Sequence, residues 1–162
     1  MPSTSEFVIS VRAERWCDAP RQLILEFERD PRNATSVEPR MQASNLVGEP
    51  GTVGSRHTLT VTTLKLFRIK FSALVMSEDP PIVELRRSRQ VEVATVTVGA
   101  EPGPDGRTLI TYSSELTITP RWGDRWIYNS QRHRTQSTGH AALERYLAKS
   151  VELIEARARS VG

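Results

Sequence analysis

The chain has 162 residues, of which 38% are apolar and 25% charged. That is the length of one domain, large enough to bury roughly 70% of its unfolded surface, so neither whole-chain disorder nor a structural metal or disulfide is called for. Net charge is +3 with an isoelectric point of about 9.4. The 19 arginines and 3 lysines are scattered among acidic residues rather than gathered in a stripe, so no nucleic-acid partner is expected.

No apolar run approaches the ~20 residues that span a bilayer, and membrane insertion is not expected. The opening residues Met1 to Glu6 lack the basic and apolar regions of a secretory signal. Cys17 is the lone cysteine, so no internal disulfide or cysteine-based zinc site can form. These features predict a cytoplasmic protein of one domain over 1–162, frayed at 1–5 and 160–162.

Phe7, Ile9, Val11 and Ala13 alternate with polar residues, which predicts a half-buried strand over 6–16. Asp18 is a suitable N-cap for a helix carrying Leu23, Ile24 and Phe27, and Pro31 ends it. A short helical turn over 32–36 follows. From Pro39 to Pro120 the pattern is strand-like, with strands expected over 40–47, 55–64, 67–76, 82–87, 91–100 and 108–119. Turn chemistry separates them, most clearly at Pro102 to Gly106. The short connections imply antiparallel neighbours.

From about Asp124 to Arg159 the period becomes helical. His140, Leu143, Leu147, Val151, Ile154 and Ala158 fall on one stripe. One long helix covering a strongly curved antiparallel sheet leaves a space between them, and such a space is the default binding site. The expected class is α+β: about seven strands wrapped round a long C-terminal helix, with two short helices after the first strand.

Four short motifs stand out: Asp18-Ala19-Pro20 with Asp30-Pro31, Gly51-Thr52-Val53-Gly54-Ser55, Asp79-Pro80-Pro81, and Asp105-Gly106-Arg107-Thr108. Together they resemble the START-like, or SRPBCC, superfamily and its helix-grip fold. They occur in the superfamily's order across nearly the whole chain. They are cap and turn residues, so they speak to fold and carry no chemistry. The branch they are most similar to is the polyketide cyclase/dehydrase and lipid-transport group. That resemblance implies a deep, mostly apolar cavity for a lipophilic small molecule, and in a minority of members a cyclisation or dehydration activity. Similar sequences often carry a Trp soon after Asp-Pro; here that stretch reads Ala34 to Pro39 without one.

Extending the helical stripe towards its N-terminus passes through Gln136, His133, Asn129 and Trp126. If those residues face inward with His140 and Leu143, the cavity has a polar wall. If that segment begins as a loop, the histidines face solvent. Gly139 would permit a bend or a close approach. Opposite, His57, Leu59 and Phe71 lie on apolar strand faces, and His57 either points into the cavity or hydrogen-bonds at a strand end. Tyr112 stands among inward residues and needs a hydrogen-bond partner, from a ligand or a side chain. Arg87 alternates with Val83 and Leu85, and either points inward or is swung outward by a bend near Ser88. Cys17 precedes a helix, but adjacent Asp18 opposes an activated thiol. No metal motif and no cofactor motif is present.

Three functions remain open. The first is binding of a lipophilic small molecule such as a lipid or polyketide, with His57, Leu59, Phe71, Tyr112, Trp126, Asn129, His133, Gln136, His140 and Leu143 as wall residues. The second is an aromatase/cyclase-type enzyme using His140, His133, Tyr112 and Arg87. The third is a protein-interaction module exposing Trp122 and Trp126. A monomer or a homodimer is compatible with all three.

Overall fold

The computed structural model describes residues 6–63, 67–89, 91–120 and 124–162. Its strands are β1 (Phe7–Cys17), β2 (Met41–Val47), β3 (Arg56–Thr63), β4 (Phe67–Ser77), β5 (Ile82–Arg87), β6 (Val93–Pro102) and β7 (Thr108–Ile118). Its helices are α1 (Arg21–Arg29), α2 (Asn33–Val37) and α3 (Arg125–Val161). The expected elements are therefore present, mostly to within a residue or two at each end. Residues 1–5 and Trp122 lie outside the described residues. α3 includes Ser160 and Val161.

The seven strands form one sheet in the order β1-β7-β6-β5-β4-β3-β2, every pair antiparallel. Consecutive strands pair through short turns. The one long-range pairing brings β1 back beside β7, with Ala13 opposite Tyr112. That pairing sets the concave face: Val11 and Ala13 on β1 share it with Tyr112 and Ser114 on β7.

The start of α1 differs from expectation. Pro20, not Asp18, is the N-cap residue, and no side chain caps the helix. The Asp18 N–H instead donates to Glu155 of α3 at 2.9 Å, which ties the chain between β1 and α1 to the long helix. Proline suits this position because the missing N–H has no intrahelical partner at a helix start. The other end of α1 is closed by Asn33, whose amide donates to the Phe27 carbonyl at 2.8 Å. Arg157 of α3 bonds Asn33 and lies over the Phe27 ring.

The packed core occupies one end of the fold. Ile24 of α1, Ile110 of β7 and Leu147 and Ile154 of α3 are all essentially inaccessible. Cys17 lies among them, and burial, with help from nearby carboxylates, pushes its thiol up to about 12. It stays a protonated, unreactive thiol at neutral pH.

Among the strands α3 packs chiefly on β1, and the two run in the same direction. Tyr128 meets Phe7, Gln136 bonds the Ser10 carbonyl, Gly139 meets Val11, and Glu155 reaches Asp18. Only the second half of the helix also meets the packed core, at Leu147, Val151 and Ile154. The first half rests on a single edge strand, so most of its circumference stays in water.

Candidate active or binding site in the helix-grip cavity

Beyond the packed core, the concave face and α3 enclose a cavity of about 330 Å3. This lies at the low end of small-molecule sites, which run roughly 300–1,000 Å3. Much of its wall is apolar, with Phe27 on α1, Leu59 on β3, Ile82 on β5, Val96 and Val98 on β6, and Leu143 on α3.

Its polar groups fall into two sets. In the first, the Tyr112 phenol donates to one carboxylate oxygen of Glu28, on α1. The ring of Tyr146, on α3, meets Tyr112 edge-on with centroids 5.7 Å apart. The other Glu28 oxygen, Oε1, is buried and has no hydrogen-bond partner. Burial raises the Glu28 pKa from 4.5 to about 7, and the bond from Tyr112 offsets part of that rise. The carboxyl is thus poised between its two forms at neutral pH. The same burial, and the Glu28 charge beside it, raise the Tyr112 phenol well above its ordinary value.

In the second set, His57 Nε2 of β3 lies 3.6 Å from Glu84 Oε2 of β5, and Arg86 Nε donates to Glu84 Oε1 at 2.6 Å. Burial lowers the His57 pKa, partly opposed by Glu84 and reinforced by Arg86, so the imidazole is neutral at pH 7. Among the described residues, Glu84 has a cation beside it and Glu28 does not.

Of the residues singled out in the sequence, His57, Leu59, Tyr112 and Leu143 line this cavity. Phe71 pairs with Leu59 across β3 and β4 and shares its face, but lies outside the cavity wall. Arg87 is on the opposite face of β5: Ile82, Glu84 and Arg86 point inward, and Val83, Leu85 and Arg87 outward. The outer apolar residues have cross-strand neighbours, since Leu85 stands opposite Leu74 and Thr95.

The start of the long segment is helical from Arg125, yet Trp126, Asn129, His133, Gln136 and His140 are exposed. Trp126 keeps 71% of its surface in water. The stripe from Leu143 to Ile154 keeps the expected phase, but Gly139, four residues before Leu143, faces the cavity in place of His140. His140 Nε2 turns to Glu144 on the same helix, 3.2 Å away, and Gln136 donates to the Ser10 carbonyl at 3.3 Å. The lack of a side chain at Gly139 lets the helix approach Val11: a Cβ there would already touch its methyl at 3.5 Å.

Sequence reasoning missed Glu28, Glu84, Arg86 and Tyr146. Glu28 carried a usable signal: it is four residues after Ile24, on the buried stripe of α1. No cluster of three His, Cys, Asp or Glu suited to a metal occurs among the described residues. No described helix is long and apolar enough to cross a membrane.

A seven-stranded antiparallel sheet gripping one long helix, with a cavity between them, defines the helix-grip class. No protein-family model matches the sequence, and no curated protein matches it. Solved structures do. Protein TTHA0849 from Thermus thermophilus superposes with a TM-score of 0.74 at 14% identity, over 92% of this chain and 99% of that one. A truncated norcoclaurine synthase from Thalictrum flavum gives 0.68 at 13% identity, over 95% and 98%. A major latex-like protein from Panax ginseng gives 0.65 at 14% identity, over 93% and 97%. These structures share the helix-grip fold with this chain, the fold that the turn motifs implied.

Proposed function

We propose that this protein binds a lipophilic small molecule in the cavity between the sheet and α3, with the Glu28–Tyr112 pair meeting its polar group. The observation that carries this reading is the unpaired Glu28 oxygen. A buried acceptor without a partner is costly, and a ligand that supplies a donor recovers that cost on binding. The apolar wall supplies the remaining attraction by area removed from water. A cavity of about 330 Å3 favours a ring compound or a short chain over a whole two-chain lipid. In keeping with that size, the similar norcoclaurine synthase has been crystallised with dopamine and hydroxybenzaldehyde, both small aromatic molecules.

Binding is favoured over the aromatase/cyclase-type alternative because His133 and His140, the imidazoles invoked for proton transfer, are on the outer surface of α3. For the protein-interaction alternative, Trp126 is exposed beside Ile127 at the start of α3, and Trp122 lies outside the described residues. The test is titration with Nile red, a neutral apolar dye. Saturable binding with one dye per chain is expected. Val96→Phe, which adds a ring to the cavity wall, should weaken it at least about tenfold, since the ring takes the ligand's volume. His133→Ala and His140→Ala should leave it unchanged. Dye binding that survives Val96→Phe but falls with Trp126→Ala would place the site on the outer surface of α3 and overturn the proposal.

A further inference from the structure

We infer that the cavity selects hydrophobic amines: an ammonium group seats on the free oxygen of Glu28, and an apolar body fills the space towards β6. The inference rests on the reading of the cavity as a ligand site and adds the chemical class of the ligand.

Among the described residues, the cavity wall carries three carboxylates, Glu28, Asp30 and Glu84, against one guanidinium, Arg86. Two of the three are already paired. Asp30 is held by Arg32 at 2.8 Å, and Glu84 by Arg86 at 2.6 Å. His57, neutral through burial, adds no positive charge. The remaining carboxylate is Glu28, and its one partner, the Tyr112 phenol, carries no charge. The whole chain bears a net charge of +3, so an acidic excess inside the cavity runs against the balance of the molecule.

An ionised carboxylate buried beside a neutral phenol is incomplete without a cation. A ligand ammonium supplies the cation and the missing hydrogen-bond donor together, and charge-assisted bonds of this kind are among the stronger ones. The aromatic rings of Tyr112 and Tyr146 line the same space and give a cation a second attraction. An anionic ligand meets the opposite situation, because Arg86 is already committed to Glu84.

Binding of an ammonium is then linked to the ionisation of Glu28. The titratable groups around that carboxyl are Tyr112 on β7, Tyr146 on α3, Cys17 on β1, Glu84 and Arg86 on β5, His57 on β3, and Asp30 beyond the end of α1. The phenols and the thiol have pKa values raised above their ordinary ones and keep their protons, and His57 is already neutral, so Glu28 is the group that changes charge near neutrality.

The experiment is isothermal titration of the full chain with naphthylethylamine and with naphthylethanol, which match in shape and differ in charge. In wild-type protein near pH 8 the amine should bind at least about tenfold more tightly. In Glu28→Gln the ratio should fall close to one. A ratio near one in wild type, or a preference that survives Glu28→Gln, overturns the inference. If neither compound binds while Nile red does, the amine inference fails and the cavity reading stands; if Nile red also fails to bind, both fall. A second measurement does not depend on how the variant folds. At about pH 6 amine binding to wild type should release close to one proton, seen as a buffer-dependent heat, because the carboxyl must ionise. Absence of that release overturns the inference as well.

Discussion

Glu28→Gln is expected to abolish a loss of stability that the wild-type protein suffers as the pH rises from about 5 to 8. In the fold the Glu28 carboxyl keeps its proton up to about pH 7, against an ordinary value of 4.5. Between those values the folded chain holds more protons than the unfolded one. Stability is therefore fully present below about 4.5 and is lost as the pH climbs through 7. The difference of 2.5 pH units corresponds to about 3 kcal/mol, or roughly 6–12 °C in Tm for a chain of this size. Glutamine keeps the shape and still accepts from Tyr112, but has no charge to bury. His57 acts in the opposite sense, since its lowered pKa makes stability rise with pH; that contribution is common to both proteins and cancels in the comparison. Thermal melts of both proteins at several pH values check this. Parallel curves would show that Glu28 ionises freely in the folded state.

Gly51→Ala should cost the fold about 3 kcal/mol or more, and Gly54→Ala only about 1–2 kcal/mol. Both glycines have φ just above +80°, where an L side chain is strained, so that cost is shared. They differ in their surroundings. A Cβ on Gly51 would sit 2.5 Å from the Cβ of Arg29 and 2.6 Å from its carbonyl oxygen, whereas one on Gly54 meets nothing within 4 Å. The backbone after β2 is thus pressed against the last residue of α1, beside Glu28. Relief of that overlap must move α1 or the loop, so Gly51→Ala should weaken ligand binding as well. Urea denaturation of the two variants decides the matter, and equal midpoints would contradict the packing argument.

The legible parts of this protein are those governed by local chemistry. Strand alternation from Phe7 to Ala13 and in β3 and β4 placed the inward faces correctly, because each strand buries one side. The stripe from Leu143 to Ala158 marked the half of α3 that packs. The phase of its first half was not legible, since a segment resting on one edge strand carries little apolar signal to read. The face of β5 misled for a related reason. Val83 and Leu85 look like core residues, but the sheet's outer side tolerates apolar pairs and the cavity side requires Glu84 and Arg86. Tyr112 was recognised as a phenol in need of a partner, yet its partner is 84 residues away on α1. Such a pairing depends on tertiary closure, which no local pattern encodes.

The measurement that bears most directly on the account is methyl NMR of the protein titrated with naphthylethylamine. The account predicts shifts concentrated in the methyl groups of Val11, Leu59, Ile82, Val96, Val98 and Leu143, which line the cavity. Shifts centred on Ile127, at the exposed start of α3, with the cavity methyls unmoved, would contradict it.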